Sequence, residues 1–335
     1  MGATSCTAPQ PARSRDPDSL TENCLQETIM RWILTLLSLL ALATPTFASD
    51  GVLEINQSCA VNTGCFSGDT AGFPVTINGT AGRSYQLTGD LVVPNENTDG
   101  IYISTHDIGI DLNNFSIIGT GCVGATTSAC RPVSGTGSGI EVVPTGAARS
   151  IAVRNGSIVG MGRYGVDVGS QADIRNLRVR WNRSTGIHFG SGSFVSGNSA
   201  YQNGDSGIGT SSGGSTVQGN TAYDNEGSGI ISNNGSTVTG NTTFSNGGNG
   251  IVAQSGSIIS GNSSYENTVD GITAHNGSTI QGNSVRGNDG WGLDISSSSC
   301  VYRDNTITTS GTTLGTVDGG VNGGGNVCNG SMICP

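Results

Sequence analysis

The second half of the chain repeats itself about every 21 residues, and this constrains the fold more than any other feature. Gly-Asn steps fall at Gly197-Asn198, Gly219-Asn220, Gly240-Asn241, Gly261-Asn262 and Gly282-Asn283, at intervals of 22, 21, 21 and 21. A second series runs in phase: Gly165-Val166, Gly186-Ile187, Gly207-Ile208, Gly229-Ile230, Gly250-Ile251, Gly271-Ile272 and Gly292-Leu293. A period in this range, built of short β runs and turn residues, marks a solenoid whose units pack on their neighbours. It does not fix function, because one such fold hosts many chemistries.

The unit from Gly240 to Ser260 shows why. Runs of three to five β-prone residues are separated by Gly, Asn and Ser. None is long enough for a helix, and none has a 3.6 period. Gly supplies the positive φ of sharp corners, and Asn tolerates it. Three short strands and three turns fit in one unit, so the expected fold is all-β: a single-stranded parallel β-helix. Coils stacked ~4.8 Å apart place each residue over its equivalent. One inward apolar column is Val166, Ile187, Ile208, Ile230, Ile251, Ile272, Leu293; another is Ile174, Val195, Val217, Val238, Ile259, Ile280, Val301. A third, Val179, Ala200, Ala222, Thr243, Ser264, Val285, turns small and polar, which predicts a narrow or locally weak stretch. Asn182, Asn203, Asn225, Asn246, Asn267 and Asn288 form a polar column whose amides can bond up and down a ladder. The pattern continues upstream with drift, broken by a long loop over 120–138. About nine coils over 85–310 give a stack on the order of 40 Å long.

Met30 to Ala48 has one Arg, a short apolar stretch and small residues before a cleavage point, as a secretory signal does. The expected organisation is a mis-called extension over 1–29, a signal peptide over 30–48, an N-terminal cap over 49–84, the β-helix over 85–310 and a C-terminal cap over 311–335. Solenoid ends expose unpaired edges and need such caps. The apolar run is short for a membrane span, and no later segment could span as a helix. Seven Cys follow the signal and suggest disulfides in an exported chain. Cys59 and Cys65 can close a small loop, Cys122 and Cys130 can staple the long loop, and Cys328 can pair with Cys334 or Cys300. No Cys-x-x-Cys or Cys/His cluster suggests a metal, and nothing calls for a cofactor. Fourteen basic residues, all Arg, stand against 24 acids, a formal net charge of −10. That argues against nucleic acid or an anionic membrane as partner. Arg175, Arg178, Arg180 and Arg183 are the one basic cluster.

Within each Gly-Ile strand the residue after Ile points outward. That column reads Tyr102, Glu141, Asp167, His188, Gly209, Ile231, Val252, Thr273, Asp294. Glu141, Asp167 and His188 fall on successive coils about 5 Å apart. Two acids and a His so spaced can serve as general acid and base, with Arg180 assisting by binding a carboxylate. The plainer reading is a charged, solvated face. A second column runs Arg180, Tyr201, Tyr223, Phe244, Tyr265, Arg286. Stacked aromatics stiffen a β-helix, and an exposed stripe of Tyr201, Tyr223, Phe244 and Tyr265 also suits sugar rings as a substrate-binding face.

Three segments carry a resemblance: Gly109-Ile-Asp-Leu-Asn-Asn-Phe-Ser-Ile-Ile-Gly119, Asn155-Gly-Ser-Ile-Val-Gly160, and the repeated Gly-Asn-x-x-[Tyr/Phe]-x-Asn…Gly-Ile unit. Through them the chain resembles the right-handed parallel β-helix proteins of the pectate lyase-like superfamily, including bacterial members of the NosD and alginate epimerase type. The resemblance covers roughly 85–310 and implies a right-handed helix and a bacterial, exported protein, periplasmic or extracellular. Members often act on or bind uronic-acid polysaccharides. The Asp-Pro-His-Glu motif of the epimerases and the calcium-binding acid cluster of the lyases are not found, so no catalytic residue is carried over.

The expected role is interaction with a polysaccharide or cell-surface glycan at or outside the cell surface, as a binding or structural protein, monomeric or weakly associating. The first alternative is a polysaccharide lyase, epimerase or hydrolase using Asp167 and His188, with Glu141 and Arg180 assisting. The second is a periplasmic assembly helper of the NosD type.

Overall fold

The computed structural model describes residues 51–79, 83–143, 149–309 and 314–335. The expected extension and signal peptide lie outside the described residues. Among the described residues, no helix is long and apolar enough to cross a membrane.

Every coil contributes to two parallel sheets. Eleven strands, from Val75–Ile77 to Gly315–Asp318, form what is here termed the front sheet. The other sheet has 21 strands and folds into two arms. Ile151–Val159 and Asp173–Arg180 run unbroken through both arms and so join them. Register follows the repeat: Ile187, Ile208, Ile230, Ile251, Ile272 and Leu293 pair in succession across the front sheet. The stack thus has eleven coils where about nine were expected. Val75–Ile77 and Gly315–Asp318 are front-sheet strands that lack the Gly-Ile step, so the periodicity does not reveal them.

Burial fits the first two columns with one exception. Ile280 pairs with Tyr302, which is fully buried, whereas Val301 is 37% exposed. The coil between them is one residue longer, and a one-residue shift turns a strand's other face inward. The third column is polar but satisfied. Thr243 donates to the Ser264 hydroxyl (3.1 Å), and Ser264 donates to the Gly271 carbonyl (2.7 Å). Buried hydroxyls with partners do not leave the desolvation cost of orphaned ones.

The two glycine series do different work. Gly219, Gly240, Gly261 and Gly282 have φ of 62–67°, the left-handed corner that glycine allows. The Gly-Ile glycines are there for close approach instead. A Cβ on Gly229 would lie 2.7 Å from the Gly250 carbonyl oxygen and 2.8 Å from Asn246 Nδ2.

Beside these glycines runs the expected Asn ladder. Asn225 Nδ2 donates to Asn246 Oδ1 at 3.0 Å, and the Asn225 backbone N–H donates to the same oxygen at 3.2 Å. A second ladder comes from the Gly-Asn steps and continues through Asp304-Asn305: Asn198, Asn220, Asn241, Asn262, Asn283, Asn305 and Asn326, all buried. Each turn's backbone donors thereby find partners without water.

At the first coil, Val52–Ile55 pairs with Ser84–Leu87, and a short helix, Gln57–Asn62, follows with Asn56 as its N-cap. Among the described residues, disulfides join Cys59–Cys65, Cys122–Cys130 and Cys328–Cys334, leaving Cys300 free and buried. The long loop is tied down beyond its disulfide. Arg183 donates to the Val133 carbonyl (3.2 Å), and Arg131 pairs with Glu226.

Candidate functional site

Tyr102, Glu141, Asp167 and His188 lie in one register column on the outer face of the front sheet. The imidazole Nδ1 of His188 is 2.7 Å from Asp167 Oδ1. Donation of Nδ1–H to the carboxylate fixes the ring's orientation and leaves Nε2 as its free basic atom. The Asp167 side chain is only 7% exposed, against 22% for His188. On the coil after His188 the same position is Gly209, so that position places no side chain over the imidazole.

Two residues from the preceding turn complete this face. The Tyr164 ring stacks on His188, centroids 5.0 Å apart and planes 13° from parallel. The Arg163 guanidinium lies 4.5 Å from the Tyr164 ring centroid, and its Nη1 is 3.5 Å from Glu141 Oε1. Asp99 joins from the other side. Its Oδ1 accepts the Ser138 backbone N–H at 2.7 Å. Burial, and then the neighbouring Glu141 carboxylate, push the Asp99 carboxyl up to about 6. The cluster therefore combines an oriented imidazole, a carboxyl whose proton affinity is raised by burial, and an Arg that is partly exposed.

Glu141, Asp167 and His188 come together as the alternation of the strand implies. Arg180 does not join them. It lies on the arm of the 21-stranded sheet that carries Tyr201 and Tyr223 in register with it (the second arm), where its Nη1 donates to the Tyr201 hydroxyl (3.0 Å) and its guanidinium sits 4.5 Å from the Trp181 ring. Arg163 stands beside Glu141 in its place. Asp99, Arg163 and Tyr164 escaped the sequence reading. Asp99 and Tyr164 each immediately precede the Gly of a Gly-Ile or Gly-Val step, so the column before that Gly held the missing signal.

The aromatic column is a continuous stack. Centroids of Tyr201 and Tyr223, Tyr223 and Phe244, and Phe244 and Tyr265 are 4.8, 4.8 and 5.0 Å apart, with planes within 5°. The Arg286 guanidinium covers the far ring at 4.3 Å, and Arg180 lies 5.9 Å from the near one. The ring faces are thus taken up by one another and by the two Arg, and the edges face outward. Among the described residues no group of three or more His, Cys, Asp or Glu is placed to hold a metal ion.

This architecture has a family counterpart. The model of the right handed beta helix region matches residues 99–262 and 164–310, and the chain belongs to that family. Solved structures share the fold at low identity. The A-module of the Azotobacter vinelandii mannuronan C-5 epimerase AlgE6 is 16% identical, with 81% of this chain and 88% of that one covered and a TM-score of 0.50. A variant of the periplasmic alginate epimerase AlgG is 15% identical over 72% of this chain and 74% of its own, TM-score 0.50. The Dettilon tailspike protein is 17% identical over 73% and 57%, TM-score 0.54. No curated protein sequence matches the chain.

Proposed function

We propose that this protein is an exported polysaccharide-processing enzyme that removes a proton from a uronic-acid ring. The observation that carries this reading is the 2.7 Å contact of His188 Nδ1 with Asp167, on an outer face and near the partly exposed Arg163 guanidinium. In a uronate the ring carbon next to the carboxylate bears the most acidic C–H. His188 Nε2 is the base that takes this proton, Asp167 holds and stabilises the resulting imidazolium, and Arg163 binds the sugar carboxylate. Reprotonation then gives an epimerised sugar, whereas loss of the neighbouring glycosidic oxygen gives chain cleavage. Of the similar structures one is named a mannuronan C-5 epimerase and one an alginate epimerase, which accords with this substrate class. Three disulfides accord with an oxidising compartment. The working form is a monomer.

The test is proton NMR of uronic-acid polysaccharides before and after incubation with the protein and with His188→Gln. Unsaturated ends or epimerised sugars that depend on His188 support the reading; unchanged spectra with the wild type remove it.

Non-catalytic glycan binding is the second reading, favoured by the aromatic stack on the second arm. A glycan there would meet ring edges and Tyr hydroxyls. If Tyr223→Ala leaves glycan affinity unchanged, the stack is structural.

A further inference from the structure

The outer column of the front sheet runs from Thr76 to Asp318 and contains one imidazole but no Lys or Arg. The turns that lead into its strands carry Arg131, Arg163 and Arg183. Arg131 pairs with Glu226, and Arg183 donates to the Val133 and Gly135 carbonyls of the long loop (3.2 and 3.4 Å). Of these Arg, Arg163 is the one that stands beside the column, next to Glu141. No Lys or Arg lies between Arg183 and Arg286 in the chain.

The coils that follow His188 offer a different chemistry. After the gap at Gly209, Ile231 and Val252 stand in register on the next two coils, half-buried and on the outer side of their strands. They form a flat apolar strip. Its flanks carry acids. Asp205, in the turn leading to Gly209, accepts the Thr185 hydroxyl at 3.2 Å. Asp270 accepts the Thr273 hydroxyl at 3.3 Å and the Trp291 backbone N–H at 2.7 Å, and Asp294 follows Thr273 in the column. A polymer with a carboxylate on every ring would lay charge over this strip and among these acids, with no cation to receive it. Like charges so placed cost affinity and act as a device against the wrong partner. A neutral ring instead covers the strip with its C–H face and removes apolar surface from water.

We propose that the site selects a heteropolysaccharide whose uronates are separated by neutral sugars, and that Ile231 and Val252 are specificity-determining residues that seat a neutral ring beyond His188. The proposal rests on the reading of His188 as base. It gives the single free cation, Arg163, to a single uronate. Fully charged homopolymers are then the poorer substrates, because their remaining carboxylates fall on the apolar strip and beside Asp205, Asp270 and Asp294.

The test compares gellan, whose uronates are separated by neutral sugars, with polygalacturonate, which is charged on every ring. Binding is measured by calorimetry on His188→Gln, so that the polymers stay intact, with soluble fragments of matched length. Gellan should bind at least about tenfold tighter than polygalacturonate. Ile231→Arg in the same background puts a cation on the strip and should shrink that ratio at least about fivefold, whereas Ile231→Val should keep it. Thermal melts check that each protein is folded, and Val252→Arg takes the place of Ile231→Arg if the latter is not. Turnover by the wild type, followed by proton NMR, should show the same order in kcat/KM.

Equal or tighter binding of polygalacturonate would overturn the selectivity. So would a ratio that the Arg substitution leaves unchanged in a folded protein, or no binding of either polymer. Preferential binding of gellan, together with a wild type that alters neither polymer, would remove the base reading and leave the neutral-sugar strip standing.

Discussion

His188 and Asp167 are 21 residues apart in sequence, yet Nδ1 and Oδ1 lie 2.7 Å apart because one residue stands directly over the other on successive coils. A solenoid converts sequence period into spatial adjacency, so a catalytic pair needs only the same phase in neighbouring repeats. The buried carboxylate orients, and the more exposed ring is free to react. Replacing Asp167 with Asn should lower activity on uronic-acid polymers by roughly 10²–10⁴-fold with little change in KM. The rate assay should be paired with a thermal melt, since an equal loss from simple unfolding would show as a lowered Tm.

The Asn ladders make a stability prediction. Asn241 accepts from the Asn220 backbone and side chain and donates to the Val217 carbonyl, all within the buried stack. Asn241→Ala leaves the buried Asn220 backbone N–H without its acceptor and removes the amide bond to the Val217 carbonyl, at roughly 1–3 kcal/mol per buried group left unpaired, while the Asn220 amide keeps the Val195 carbonyl. Urea denaturation should show a loss of at least about 2 kcal/mol, whereas Gln218→Ala, on an exposed strand position, should stay within about 0.5 kcal/mol.

Two glycine substitutions distinguish close approach from backbone conformation. At Gly229 an added Cβ would meet the Gly250 carbonyl, Asn246 and Thr243 within 3.0 Å. Gly235 has φ of +67° but open space around the would-be Cβ. Gly235→Ala should cost about 1–2 kcal/mol, the left-handed penalty. Gly229→Ala should cost at least about 3 kcal/mol, because a backbone carbonyl of the next coil cannot yield without moving the stack. Equal costs in denaturation would contradict this division of roles.

These contrasts also show what the sequence could and could not convey. Period and strand alternation placed Glu141, Asp167 and His188 on one face, since both depend only on counting residues. Counting failed where a coil changes length. Tyr302 displaced Val301 from the core that way, and the strands Val75–Ile77 and Gly315–Asp318 carry no repeat signature. Arg180 shares a coil with Asp167, but it sits on the second arm with its guanidinium on Tyr201 and Trp181. Coil number gives height along the stack, and only the sheet gives the side. Asp99 and Arg163 lie in turns, where no alternation rule says which way a side chain points.

Asp99 predicts a pH dependence of stability with a definite sign. Its carboxyl is raised from 3.8 to about 6 in the folded protein, chiefly by burial. Between those values the folded state holds more protons than the unfolded one, so this group's contribution declines as pH rises and levels off above about 6. Urea midpoints of wild type and Asp99→Asn, compared at about pH 4 and about pH 7, should converge toward the acid side and separate toward the neutral side, with the variant gaining relative to wild type. A constant difference would mean that Asp99 ionises alike in both states.

The aromatic stack should matter more to stability than to recognition. Phe244 contacts the rings of Tyr223 and Tyr265. Phe244→Leu should cost about 1–3 kcal/mol from two lost ring pairs. Calorimetric glycan titration of the same variant should show wild-type affinity if the site lies on the front sheet, and weakened affinity if it lies on the stack.

The most direct test of the account is proton NMR of polymannuronate and polygalacturonate incubated with wild type and with His188→Gln. The account predicts unsaturated uronate ends or epimerised sugars with the wild type and neither with the variant. Products formed equally by both proteins, or unchanged polymer with the wild type, would contradict the assignment of His188 and Asp167 as the base of a uronate-processing site.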